Sequence, residues 1–158
     1  MSASLIYDLA PIGSIVAWSD GTPRPPERFK KKLAAWQTRN GSGRLIRKEG
    51  PRQSGNYVSP GYLTLHEVDF GGKNTVVMRI HRTFGLDSNL TFKVIGPPAL
   101  GSVRVFDRAG AGAELVHLAD NREAAEAWLQ EHRYPNAALE EVTADEAAAA
   151  HVEGRAAA

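Results

Sequence analysis

The residues whose chemistry could do most are spread thinly along the chain. The five histidines, His66, His81, His117, His132 and His151, stand singly, with no H-E-x-x-H pair to set two imidazoles one helical turn apart for zinc. Isolated histidines are more often half-buried structural groups than ligands, so no metal is expected. His81 is the one to follow, because alternation along residues 75–84 puts it on the strand face of Arg79. Glu67 and Asp69 are spaced to share a strand face, and Asp87 and Asp107 fall in or near loops. Paired carboxylates can hold Mg²⁺ or act as acid and base. No Glu-x-Lys element stands near them to complete a nuclease set, and acids in turns ordinarily bond the turn's own N–H groups.

The common chemical motifs are missing. There is no G-x-x-x-x-G-K-[ST] phosphate loop, no G-x-G-x-x-G after a strand and no G-x-S-x-G nucleophile elbow. The chain has no cysteine, which removes disulfides, thiol nucleophiles, thiolate zinc sites and iron–sulfur clusters. Asn89-Leu90-Thr91 matches a glycosylation sequon, read as chance because the start of the sequence lacks the charged and apolar regions of a secretory signal. The expectation is therefore no catalytic residue, no metal and no cofactor.

One feature is lopsided. The 19 Lys+Arg and 18 Asp+Glu of the 158 residues nearly cancel, to a net charge of +1. Their distribution does not: residues 1–80 carry +6 and residues 81–158 carry −5, and the 29 residues from Arg24 to Arg52 alone hold ten cations against Glu27 and Glu49. A basic block inside a neutral chain points to a polyanionic partner. On a helix over residues 25–39, Arg28, Lys32 and Arg39 fall near one stripe with Lys31 beside them, while Phe29, Leu33 and Trp36 turn to the opposite, core-facing side. Gly41-Ser42-Gly43 reads as a flexible turn, and Arg44, Arg47 and Lys48 carry the charge onto the following strand. The central strands add Arg79 and Lys93, with Arg104 a further candidate. These cations are the candidate nucleic-acid-binding residues: each phosphate they neutralise would release condensed counterions. Trp18 and Trp36 could stack on bases, though Trp36 sits on the stripe assigned to the core.

These side chains need elements to hold them. Gly13 to Trp18 reads as a short strand ending in the turn formers Ser19 to Pro23, and Pro25, Pro26 and Glu27 suit the first turn of the basic helix, which Asn40 to Gly43 stops. Leu45 to Arg47 is a strand and Pro51 to Pro60 a polar connection. In the strand Tyr62 to Phe70 the apolar parity slips between Leu65 and Val68, which predicts a bulge at His66-Glu67. Residues 75–84 and 90–94 alternate and are joined by a connection of hairpin length, Gly85 to Asn89. Strands follow at Ser102 to Phe106 and Glu114 to Leu118.

A helix over Asn121 to Arg133 opens with a capping box of Asp120 and Glu123, and a second box, Thr143 with Glu146, opens an Ala-rich helix expected to dock weakly. The reading is α+β: an antiparallel sheet or partial barrel of about six short strands, one basic N-terminal helix packed on it and one or two C-terminal helices. A single domain is expected over 1–153, with a frayed tail at 154–158.

No apolar run approaches a membrane span, so no membrane partner is expected and the cytosol is the default compartment. Three functions compete. The first is a non-enzymatic DNA- or RNA-binding module, regulatory or accessory, that tracks phosphates with helix 25–39 and the next strand. The second is an interaction or inhibitor module docking on an acidic protein. The third is an enzyme acting on a small anionic substrate, which requires Arg79, His81 or Arg104 to line a concave site.

Overall fold

The computed structural model describes residues 1–72 and 75–148. The domain end expected at 153 and the tail 154–158 lie outside the described residues, as does His151. The architecture is α+β, built on an antiparallel five-stranded sheet in the order β6-β5-β2-β1-β7. Its strands are β1 (Ile15–Ser19), β2 (Gly41–Glu49), β5 (Tyr62–Gly72), β6 (Thr75–Gly85) and β7 (Thr91–Gly96). A small antiparallel sheet orders β10 (Ala138–Glu141), β8 (Val103–Phe106) and β9 (Leu115–Ala119) as β10-β8-β9. A two-stranded ribbon, β3 (Arg52–Ser54) with β4 (Tyr57–Ser59), occupies the stretch expected to be a plain polar connection.

The two faces of the large sheet have different covers. Val16, Trp18, Leu45, Leu63, Leu65 and Phe92 form one core with Ala3, Ile6 and Ala10 of the N-terminal helix α1 (Ala3–Leu9) and the residue that follows it. Those three residues recur at i, i+3 and i+7, a helical stripe in a stretch outside every element read from the sequence. The ammonium of Lys48 donates to the carbonyls of Tyr7 at 2.8 Å and Ala10 at 2.6 Å, satisfying groups left over where α1 ends. On the other face Ile46 packs with Phe106, Ala113 and Leu115 of the small sheet. All four residues of β8 are buried, because Val103 and Val105 turn instead to Ala125 of α3 (Arg122–Glu131). The layers thus run α1, large sheet, small sheet, α3.

Several local expectations are corrected. β6 and β7 do not form a hairpin: they are the two edges of the five-stranded sheet, β6 pairing with β5 and β7 with β1. Loop length permits a hairpin, but strand pairing is settled by partners far away in sequence. Gly41-Ser42-Gly43 is no flexible turn; it opens β2, opposite Trp18, Ala17 and Val16. A Cβ on Gly41 would meet the Trp18 indole at 2.7 Å and one on Gly43 the His66 carbonyl oxygen at 2.8 Å, so both glycines serve close approach.

The basic helix, α2 (Lys30–Arg39), begins after the prolines rather than on them and buries no residue. Phe29 is 43% exposed and Leu33 and Trp36 are only half-buried, so the stripe assigned to the core is not a core stripe. The helix is tethered instead by polar bonds: Trp36 Nε1 to the Thr22 carbonyl at 3.0 Å, Asn40 Nδ2 to Asp20 at 3.0 Å, and Arg82 to the Thr38 carbonyl at 3.2 Å. The cap of α3 is Asn121, which accepts from the N–H of Ala124, one residue later than the box predicts. Thr143 and Glu146 do form their capping box, opening a helix over 144–148. Among the described residues no helix is long and apolar enough to cross a membrane.

Candidate functional site

Two regions collect the chemistry, and the large sheet separates them. The first is α2 with its approach. Arg28, Lys30, Lys31, Lys32 and Arg39 are all exposed, and none has a carboxylate within 4 Å among the described residues. Arg28 and Lys32 approach the ring of Phe29 at 4.8 and 5.4 Å. Asp20 is the acid that feels this charge: hydrogen bonds from Thr22 and Asn40, and then Arg39, hold its carboxyl below the usual range.

The rest of the predicted basic surface is committed elsewhere. Arg44 is half-buried and donates to the Gly13 carbonyl at 2.7 Å, Arg47 pairs with Glu49 at 3.2 Å, and Lys48 ends α1. Arg79 pairs with Asp69 at 3.0 Å, and Lys93 lies exposed on the opposite edge strand. Arg104, a candidate surface cation in the sequence, is 3% exposed and clamps Glu146 in the first turn of the last helix.

The second region is a cleft of about 960 Å³ between the β5–β6 side of the large sheet and the β9–α3 side of the small layer. A bulge builds its first wall. Glu67 is the extra residue between His66, opposite His81, and Val68, opposite Ile80, as the parity slip predicts. After the slip Asp69 stands opposite Arg79 on the same face as His66 and His81, whereas Glu67 points to the other face and binds Arg82 at 2.7 Å. The expectation that Glu67 and Asp69 share a face fails for that reason: simple alternation does not survive the inserted residue.

His66 Nε2 donates to Asp69 Oδ1 at 2.7 Å, and Arg79 Nε donates to the same oxygen at 3.0 Å. Burial raises the Asp69 carboxyl, but the His66 and Arg79 contacts more than reverse this and leave it below the usual range. The rings of His66 and His81 meet edge to face, centroids 5.8 Å apart. Burial pushes the His81 imidazole down, Glu114 opposes this, and His66 and Arg79 reinforce it.

The second wall is aromatic. Trp128 of α3 stacks with His132 at 4.0 Å, with His117 at 4.7 Å and with Tyr134 at 5.6 Å, the planes within 20° of parallel throughout. His132 Nδ1 donates to the Trp128 carbonyl at 2.9 Å, which fixes its ring on the stack. Four of the five histidines therefore converge on one cleft, although their sequence spacing gives no sign of it. Among the described residues no three metal-ligating groups are placed to hold an ion.

The model of the family described as Uncharacterised conserved protein UCP036055 matches residues 1–146. The chain belongs to this family. No curated protein and no solved structure matches it. The UCP036055 match takes in α2, both walls of the cleft and the Arg104–Glu146 clamp, so these features all lie within the family's own extent.

The two regions lie on opposite faces of one strand pair. Arg82 stands over the Trp18 ring at 5.9 Å and reaches α2, while its neighbours in β6, His81 and Arg79, line the cleft.

Proposed function

We propose that this UCP036055 protein is a non-enzymatic nucleic-acid-binding module, regulatory or accessory in role, that engages the phosphate backbone through α2 and its approach. The observation that carries this reading is the exposure of Arg28, Lys30, Lys31, Lys32 and Arg39 with no carboxylate within 4 Å among the described residues. Among the described residues no acid of the C-terminal half forms an ion pair with them; Glu146 and Glu140 are turned to Arg104, and Glu126 to Arg122. A cationic helix raised on polar tethers presents its charge without giving up a core face. The half-buried Trp36 offers ring surface to unpaired bases. Arg47 and Lys48, whose charged heads are engaged internally, drop out of the proposed interface.

Fluorescence anisotropy with labelled single- and double-stranded DNA and RNA tests the reading. Five phosphate contacts give a slope of log affinity against log salt of about −4.5 on duplex DNA. A Lys31→Glu, Lys32→Glu variant should bind every sequence more weakly and lower the slope by about 2. Flat titrations for all four nucleic acids at low salt reject the reading. Co-purification of an acidic protein in that case favours the interaction-module alternative.

A further inference from the structure

The cleft stands on residues that the basic helix does not use, on the other face of the sheet, and its two walls have complementary chemistry. We propose that it is a binding site for a nucleotide, with the phosphate held by Arg44 and His81 on one wall and the base laid against the Trp128–Tyr134 wall.

Arg44 gives the phosphate its place. Its guanidinium is partly removed from water, and burial pushes it below its usual basicity. The hydrogen bond it makes among the described residues is to the neutral Gly13 carbonyl, through Nη1, and no carboxylate lies within 4 Å. A desolvated cation without a counter-charge is costly to keep unless an anion completes it. The neighbouring wall fits an anion too. Asp69, its carboxylate in the cleft, is already held by His66 Nε2 and Arg79 Nε, which spends the His66 donor and leaves His81, whose ring makes no hydrogen bond among the described residues, as the imidazole that can donate to an anion in the row from Arg44. A planar guanidinium suits two phosphate oxygens at once.

The opposite wall selects what the phosphate is attached to. Trp128 already stacks with His117, His132 and Tyr134, and Trp128 and Tyr134 are only half-buried, so a base would join this stack at the Tyr134 ring. Such a stack takes the π-face of a base regardless of its identity. Glu131 lies on this wall and disfavours a second anionic group there. A volume of about 960 Å³ is within the range of small-molecule sites and holds a mononucleotide with room for water. A simple anion would leave the aromatic wall idle, and an uncharged aromatic would leave Arg44 uncompensated.

Isothermal titration calorimetry with adenosine 5′-monophosphate, adenosine and inorganic phosphate tests this on the full chain. The monophosphate should bind at least about tenfold more tightly than either fragment, since each fragment satisfies one wall. Arg44→Gln should weaken the monophosphate about tenfold and leave adenosine unchanged. Tyr134→Ala should weaken the monophosphate and adenosine by a similar factor of about five or more and leave phosphate unchanged. Arg44→Lys, which keeps the charge and bonds Gly13 as a point donor, should recover part of the loss, and thermal melts check that each variant folds. No heat with the monophosphate at millimolar concentration, or equal affinity in the wild type, Arg44→Gln and Tyr134→Ala, overturns the proposal. The Lys31→Glu, Lys32→Glu variant should bind the monophosphate as the wild type does, so this site and the helix stand or fall separately.

Discussion

Arg104, buried in the middle of β8, donates from its two terminal nitrogens to the two carboxylate oxygens of Glu146, each at 3.0 Å. The same guanidinium reaches Glu140 at 3.5 Å and the Ile12 carbonyl at 3.4 Å, so one side chain ties the small sheet, the last helix and the start of β1 together. Its buried Nε has no partner among the described residues, which leaves the terminal nitrogens to carry its bonding to Glu146.

Glu146→Gln should therefore destabilise the protein by about 1–3 kcal/mol, the cost of leaving a charged donor short of its acceptor. The value sits below that for a fully buried pair because Glu146 is one-third exposed and Glu140 can partly stand in. Urea unfolding followed by circular dichroism measures it; a midpoint unchanged from the wild type would remove the clamp from the account of stability.

The clamp also shows where sequence reading stops. Strand periodicity placed β1, β8 and β9 nearly to the residue, and the parity slip in Tyr62 to Phe70 located the bulge, because both are local consequences of which side chains can face a core. The partners of β6 and β7, the burial of Arg104 and the meeting of four histidines are not local. Each depends on which layer covers which face. The stripe Phe29, Leu33, Trp36 has the spacing of a buried face, yet no layer of the described residues lies over it, and nothing within α2 itself records that.

Acid should weaken the fold in two stages. Burial holds the His117 imidazole below its ordinary value of 6.5, His132 adds to this, and Asp120 opposes it; burial acts on His81 in the same direction. A depressed folded-state pKa means stability that is present above the unfolded value and lost as pH falls through the folded one, so the first loss begins below about 6.5. Burial raises the Glu146 carboxyl, but Arg104 and Thr143 more than offset it, and its contribution is lost below the ordinary 4.5. Thermal melts between pH 8 and 2 should show both steps, and His117→Gln should reduce the upper one. An upper step of the same size in that variant would assign the titration to another group.

Gly43→Ala should cost about 1–3 kcal/mol as an overpacking change. The new Cβ would stand 2.8 Å from the His66 carbonyl oxygen, a backbone atom in the β2–β5 ladder with no rotamer to move. Because the strain falls at the bulge, the His66 and His81 ring signals should shift in NMR spectra as well. Gly21→Ala, at an exposed turn with open space around the Cβ site, is the control for glycine entropy, though its positive φ of 79° adds local strain of its own. Equal midpoints for Gly43→Ala and the wild type would show that β2 can retreat from β5 at no cost.

α2 should open before the sheets do. It buries no side chain and hangs on a few polar bonds, which places it at the low-stability end of the molecule. Trypsin under native conditions should cut first after Lys30, Lys31 or Lys32, and the amides of Leu33 to Thr38 should exchange faster than those of Leu63 and Leu65 in the central strand. Arg82→Leu removes the donor to the Thr38 carbonyl, the tether from the sheet, and should speed cleavage several-fold while the urea midpoint moves less. If nucleic acid binds along this helix, a bound oligonucleotide slows the cut, because the same lysines that trypsin reads lie under the phosphates. Protection by adenosine 5′-monophosphate would instead connect the helix to the cleft across the sheet. Cleavage elsewhere first would mean that the polar tethers hold α2 as firmly as a buried face would.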